Sequence, residues 1–137
     1  MVRVQSVEVI SSPVGPVVVL KVRNRSIPVF VESLVAHSIQ GALTGQAPAR
    51  PLSHDLMHTI LDALDAKVTQ VVITLKDGTF YGALTILVGG KPKVFDSRSS
   101  DAIALAIRFK APILLDQSLL DTAGVDVPEP APRSNPV

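Results

Sequence analysis

The sequence contains no cysteine, and this absence excludes several kinds of site. Without thiolates the chain forms no disulfide, no cysteine-ligated zinc or iron–sulfur centre and no cysteine nucleophile. No apolar run approaches the roughly 20 residues that cross a bilayer. The N-terminal segment Met1–Gln5 alternates apolar and polar residues and lacks the apolar stretch of a signal peptide. We therefore expect a cytoplasmic protein without a membrane segment.

Charged and aromatic side chains are also scarce. They make up 18% and 4% of the residues, and the formal net charge is +1. Neither a strongly basic surface for phosphates nor a row of stacking platforms is indicated, which argues mildly against a dedicated nucleic-acid-binding protein. Hydrophobic residues, by contrast, make up 47% of the 137 residues. A chain this short and apolar should hide part of its surface, so we expect a homo-oligomer, with a dimer favoured. A monomer with a larger than usual core is the alternative.

Short β-branched runs bounded by turn residues predict several strands, among them Pro16–Arg23. Asp77-Gly78 separates the runs Val68–Leu75 and Thr79–Val88, and this dipeptide favours a tight hairpin. Hairpins that occur beside helices, without strict strand–helix alternation, are typical of α+β proteins with mainly antiparallel pairing. We therefore predict a single compact α+β domain with a mainly antiparallel sheet and three to four helices.

Helical spacing of apolar residues locates the helices. A first helix is predicted to end at Gly45, and a second to begin with Ser53 as its N-cap. The third, Asp101–Phe109, is apolar on nearly every side and should be buried on most of them. Beyond Gly124 the chain is rich in proline and poor in apolar residues. The sequence thus predicts a domain over residues 1–124 and a disordered tail over residues 125–137.

Two polar segments interrupt this apolar sequence, each at the start of a predicted helix. The first is His54-Asp55, with Arg50 four residues before His54. The second is Asp96–Asp101. The first turn of a helix presents free backbone amides and a partial positive charge, which together attract phosphate or carboxylate groups. Any chemistry that this chain performs should therefore come from these two segments.

The side chains of the two segments predict a metal-assisted site for phosphate chemistry. Three carboxylates brought together bind Mg²⁺ or Mn²⁺ through oxygen, and such an ion activates water and stabilises negative charge. A histidine acts as general acid or base, and arginine binds phosphate oxygens bidentately. Ordinary helix N-termini and salt bridges use the same residue types, so a purely structural role stays open. The predicted metal ligands are Asp55, Asp96 and Asp101; the catalytic residues are these three and His54; the substrate-binding residues are Arg50, Arg98 and Ser100.

His54 and His58 stand four residues apart in the second helix, like the histidines of His-Glu-x-x-His metalloproteases. Here Asp55 takes the place of the glutamate, and no third ligand is evident. We therefore set a zinc protease aside.

Three segments in this order resemble the bifunctional nuclease domain family: residues 50–56, 76–81 and 96–108. The resemblance covers most of residues 1–124. It implies a compact α+β domain that hydrolyses both RNA and DNA. The polar residues that match the family's motifs are Arg50, His54, Asp55, Asp77, Asp96, Arg98 and Asp101.

Two positions depart from the family's pattern. An acidic position near the start of the first helix falls on Val35, with Glu32 as the nearby carboxylate, and Ser99 stands where the family tends to have proline. The leading hypothesis is a nuclease that acts on RNA and DNA. The alternative is a non-catalytic oligomeric module that binds a protein or a small ligand. It is favoured by the near-neutral charge, the few aromatic residues, the lost acid and the surplus of apolar residues.

Overall fold

The computed structural model describes residues 1–126, which form an α+β domain of nine strands and four helices. This confirms the predicted fold class. The strands are β1 (Val2–Arg3), β2 (Ser6–Ser12), β3 (Gly15–Val22), β4 (Arg25–Phe30), β5 (Lys67–Lys76), β6 (Thr79–Val88), β7 (Lys91–Arg98), β8 (Ile113–Leu115) and β9 (Val125–Asp126). The helices are α1 (Ser33–Thr44), α2 (Ser53–Ala63), α3 (Ser99–Phe109) and α4 (Gln117–Ala123).

The strands form two sheets that share one hydrophobic core. The first sheet has the order β1-β8-β5-β6-β7, and the second has the order β2-β3-β4-β9. All described pairings are antiparallel except that of β5 with β8. Residues of both sheets meet α3 in the core, as the fully buried Leu20, Ile73 and Ile103 illustrate. The central position of α3 follows from its sequence, which is apolar nearly all round.

The predicted hairpin is present as β5 and β6. Asp77 and Gly78 form its turn with φ angles of 51° and 76°, the left-handed values that the tightest hairpin turns require. Further along β6, Gly82 lies directly beneath α3. A Cβ at this position would lie only 2.6 Å from the Cβ of Ala102. The missing side chain of Gly82 therefore allows the start of α3 to pack against the sheet.

Two helix N-termini differ from the prediction. α2 begins at Ser53 with Leu52 as its N-cap residue, so the predicted Ser53 cap is wrong. Instead, the Asp55 carboxylate accepts a hydrogen bond of 2.9 Å from the Leu52 N–H. α3 begins at Ser99, so Ser99 and Ser100 are buried within its first turn and do not precede it.

The C-terminal boundary also differs. The predicted tail begins at Val125, but Val125 and Asp126 form β9 and pair with Ser26 and Arg25 of β4. The Arg25 guanidinium donates a hydrogen bond to the Gly124 carbonyl, which secures this segment. The rest of the predicted tail lies outside the described residues.

No helix within residues 1–126 has the length and apolar character needed to span a membrane.

Candidate functional site

The site is organised by one face of α3. Asp101, Ala104 and Arg108 are spaced three and four residues apart, so they lie along the same side of the helix. α1 and α2 pack against this helix. From its one polar face, α3 contacts Ser38 of α1 together with His54 and Asp55 of α2.

His54 is the central side chain, and it is 6% exposed. Its Nε2 lies 2.9 Å from Oδ1 of Asp101, and its Nδ1 lies 2.7 Å from Oγ of Ser38. An ionised carboxylate only accepts hydrogen bonds, so Nε2 carries the proton that faces Asp101. In the neutral imidazole Nδ1 is then the acceptor, and the Ser38 hydroxyl donates to it. The two polar segments, 47 residues apart in the chain, thus meet at His54.

Asp101 links His54 to the surface. Nε of Arg98 donates to Oδ2 of Asp101 at 2.9 Å, and Nη2 donates to Oδ1 at 3.2 Å. Burial raises the pKa of the Asp101 carboxyl, but the hydrogen bonds and charges of Arg98 and His54 outweigh it and hold the pKa below the ordinary value of 3.8. Asp101 in turn raises the pKa of Arg98, and the charge of Glu32 adds to this. The Arg98 side chain is 63% exposed and therefore accessible to a phosphate group.

Near the C-terminal end of α3, Arg108 forms hydrogen bonds with residues of α1, α2 and α3 itself. Its side chain is 7% exposed, and its Nε donates to Oδ1 of Asp55 at 3.1 Å. Nη1 donates to the Ala104 carbonyl, and Nη2 donates to both the carbonyl and the hydroxyl of Ser38. Burial raises the pKa of the Asp55 carboxyl, but the hydrogen bonds from the Leu52 amide and Arg108 outweigh this effect and hold the pKa below 3.8. Asp55 therefore stays ionised and fixes Arg108 between the helices.

These six residues form one continuous chain of hydrogen bonds, which we call the helix-junction network. The sequence had not indicated Ser38 or Arg108 as site residues. A signal was nevertheless present, because Arg108 follows Asp101 by two helical turns, and Ser38 directly precedes the fully buried Ile39. A polar residue on a buried helical face needs a partner. The network consists of Arg98, Asp101, His54, Ser38, Arg108 and Asp55.

Asp96 does not join this network. The Ser97 hydroxyl donates to the Gly82 carbonyl on the side of the sheet that α3 covers. Because side chains alternate along a strand, Asp96 lies on the opposite side of the sheet, and it is exposed. Within residues 1–126, no three histidine, aspartate or glutamate side chains come together as a ligand group.

The three carboxylates therefore do not fit a shared metal site. Both oxygens of Asp55 and both oxygens of Asp101 already accept hydrogen bonds, mainly from arginines that neutralise their charge. Asp96, the third member, is separated from them by the sheet itself. Joint ligation of a metal ion by Asp55, Asp96 and Asp101 stays a prediction, without support from a ligand group among residues 1–126.

The remaining predicted residues have separate positions. Arg50 is exposed in the connection between α1 and α2 and has no hydrogen bond to the network among the described residues. Ser100 is 8% exposed within α3 and does not line the cavity described below, so its substrate-binding role stays a prediction. His58 packs against Phe109 in a T-shaped arrangement with ring centroids 4.6 Å apart.

A cavity of about 870 Å³ lies beside the network. Its walls are the second half of α1, the connection of residues 45–52, the first turns of α2 and the end of α3. Ser38, Asp55 and Arg108 all line it, whereas Arg98 and Asp101 do not. The network therefore reaches the cavity at one end and open solvent at the other.

Fold and site together define a small α+β domain with a polar network buried where three helices meet. The model of the bifunctional nuclease domain matches residues 18–128 of this sequence. The chain belongs to the bifunctional nuclease domain family.

Several proteins are similar over most of the chain. An uncharacterised protein of Mycobacterium tuberculosis, found in two strains, is 33% identical over 131 residues, which are 93% of this chain and 78% of the relative. Bifunctional nuclease 1 of Arabidopsis thaliana is 30% identical over 88% of this chain and 39% of its own length. Bifunctional nuclease 2 of Oryza sativa subsp. japonica is 30% identical over 85% of this chain and 38% of its own length. The chain thus spans less than half the length of the plant relatives.

Proposed function

We propose that this protein is a nuclease that hydrolyses phosphodiester bonds in RNA and DNA, and that the helix-junction network carries the reaction. The observation that supports this most is the buried hydrogen-bonded chain from Asp101 through His54 to Ser38, which ends at the cavity. Family membership and the names of the plant relatives, bifunctional nuclease 1 and 2, support a nuclease function. The cytoplasmic location stays a prediction.

His54 acts as general base through Ser38 in this proposal. Both ring nitrogens are engaged within the protein, so the Ser38 hydroxyl is the route by which a proton from the cavity reaches Nδ1. Asp101 holds the proton on Nε2 and stabilises the imidazolium that forms, because a carboxylate with a lowered pKa stays ionised. A positioned base of this kind contributes roughly 100-fold to 10,000-fold in rate.

The two arginines have different roles. Arg108, whose charge Asp55 largely cancels, donates to the Ser38 hydroxyl at 3.0 Å and so holds that hydroxyl beside the cavity. Arg98, at the exposed end, is suited to bind a neighbouring phosphate of the strand. Mg²⁺ or Mn²⁺ stays a condition to be varied in the assay, because the described carboxylates form no ligand group.

The test is cleavage of fluorescent single-stranded RNA and DNA by highly purified protein with Mg²⁺, Mn²⁺ or EDTA. Asp101→Asn preserves the shape of the side chain but removes the charge that holds His54. We expect this variant to lose about 100-fold in rate. Asp96→Asn is the matched control, because it makes the same chemical change outside the network, and it should cleave like the native protein.

Two results would refute the proposal. Equal cleavage by Asp101→Asn and the native protein would indicate a contaminating nuclease. Loss of metal-dependent cleavage in Asp96→Asn alone would place the chemistry on the opposite side of the sheet, away from the network.

A non-catalytic oligomeric module that binds a protein or a small ligand is the second candidate. The observation that favours it is that both carboxylates and both imidazole nitrogens of the network are bonded internally, as in a purely structural ion-pair cluster. We also propose self-association, most simply as a dimer, because α2 exposes several large apolar side chains. Absence of cleavage by native protein under every metal condition would favour this candidate.

A further inference from the structure

The cavity extends well beyond the network, and its composition suggests a ligand. At about 870 Å³ it falls within the range of roughly 300 to 1,000 Å³ that is usual for small-molecule sites and exceeds what a lone phosphate needs. Its walls combine apolar residues of the connection, such as Pro48 and Pro51, with polar side chains of α1 and α2, such as Gln40 and Thr59. This mixture suits a ligand that is flat and apolar in one part and polar in another.

The charges lining the cavity favour an anion. The charged side chains in the lining are two cations, Arg108 and Lys110, and one carboxylate, Asp55. Arg108 and Asp55 form an ion pair with each other, so their charges largely cancel. Lys110 takes part in no ion pair among the described residues, and it is exposed at the cavity wall. The net positive charge of the lining therefore comes from Lys110.

The helix ends around the cavity leave Lys110 available. α1 and α3 both end here, and helix C-termini carry partial negative charge that a lysine often compensates. One carbonyl in the last turn of each helix has a backbone donor. The Gly41 carbonyl accepts from the N–H of Gln46, and the Ala106 carbonyl accepts from the N–H of Ala111. The Lys110 ammonium has no carboxylate partner within the part of the chain that the structure describes, so it is available to bind an anionic group.

His58 offers a surface for a base. The ring lies at the cavity wall, is half-buried, and is held by Phe109 at a centroid distance of 4.6 Å and an interplanar angle of 85°. A fixed flat ring of this kind stacks on nucleobases of any sequence. Gln40 and Thr59 at the same cavity supply hydrogen-bond donors and acceptors for base edges.

We propose that this cavity binds one nucleotide of the substrate strand, with Lys110 as the phosphate contact and His58 as the base contact. The inference rests on the proposed nuclease function and adds a binding site to it. Since Ser38 and Arg108 line the same cavity, a nucleotide bound there places its phosphodiester next to the network.

The test is an amide NMR titration of the full chain with adenosine monophosphate, thymidine monophosphate and inorganic phosphate. We expect both nucleotides to shift the signals of residues that line the cavity. Lys110→Gln should weaken all three ligands about fivefold to tenfold, because it removes a charge-assisted contact. His58→Ala should weaken the nucleotides by about tenfold and leave inorganic phosphate unchanged, because only a base stacks.

Lys91→Gln serves as the matched control, since Lys91 is an exposed lysine at the start of β7, outside the cavity. It should leave all three affinities unchanged. Unchanged nucleotide affinity in Lys110→Gln, or signal shifts confined to residues outside the cavity, would overturn the inference. Nucleotide binding without strand cleavage would support the cavity assignment and refute the nuclease function. Cleavage without nucleotide binding would support the nuclease function and refute the proposed nucleotide site in the cavity.

Discussion

The hydrogen bonds of His54 determine what each network residue contributes. Asp101 accepts from one ring nitrogen, and Ser38 donates to the other, so the tautomer follows from the partners. At 23% side-chain exposure, the Asp101 carboxyl keeps a lowered pKa because Arg98 and His54 both bond to it. Individual hydrogen bonds to charged groups contribute about 1.5 to 3 kcal/mol, so single substitutions here should be measurable.

Asp101 should make the stability of the protein dependent on acid pH. Its folded-state pKa lies below the ordinary value of 3.8, so its stabilising effect is present above that pH and is lost as the pH falls through the folded-state pKa. We expect Asp101→Asn to lower the free energy of unfolding by about 1 to 3 kcal/mol near neutral pH, and by progressively less in acid. Urea denaturation across this range measures the effect.

Asp55 and the Asp96→Asn variant serve as internal and external controls for this pH dependence. Asp55 has a pKa lowered in the same direction and is unchanged in this variant, so some acid dependence should persist. Asp96→Asn should follow the native curve. A constant difference between native protein and Asp101→Asn at every pH would contradict the assigned ion pairs.

At the level of elements, the site depends on how closely α3 approaches the sheet. One helix carries both Asp101 and Arg108, so its position sets the distances to His54 and Asp55 simultaneously. Gly82 of β6 makes this approach possible, because a Cβ there would lie 2.6 Å from Ala102 and 2.9 Å from the Ser97 hydroxyl. A side chain at this position would move the helix away from the sheet.

Gly82→Ala should therefore affect both stability and the network. We expect a loss of about 1 to 3 kcal/mol in the free energy of unfolding, the usual cost of overpacking a buried contact. The imidazole NMR signals of His54 should shift as its partner on α3 moves. The double variant Gly82→Ala with Ala102→Gly removes the clashing Cβ and should recover part of the loss. Additive losses in the double variant would mean that the contact does not control the helix position.

The whole molecule has an apolar surface that its own fold leaves uncovered. On α2, whose one buried residue is His54, three large apolar side chains face solvent, and a fourth follows directly at the C-cap position; they are 42% to 70% exposed. They follow helical spacing and so form a stripe on one side. Since large exposed apolar patches usually mark interaction sites, this α2 stripe is where we expect the copies of the chain to meet. The stripe consists of Leu56, Met57, Ile60 and Leu64.

Ile60→Glu should convert the associated protein to a monomer. A carboxylate in the centre of the stripe would be desolvated on association, at a cost that exceeds the gain from the remaining apolar contacts. Sedimentation velocity over a range of concentrations measures the change. Asp62→Lys alters charge on the same helix outside the stripe and should leave association intact. A native protein that sediments as a monomer at every concentration would contradict the expectation.

Local patterns in the sequence determined the elements of this protein. Strand and helix spacing, the Asp77-Gly78 turn and Gly45, which ends α1 in a left-handed conformation, depend on residues only a few positions apart. The sequence also indicated the two segments that meet at His54. Only the tertiary structure decided which polar residues join them. Asp96 lies on one side of the sheet because side chains alternate along the strand and because α3 packs on the other side. Ser38 contacts His54 and Arg108 because of how the helices pack, and no local pattern encodes that packing.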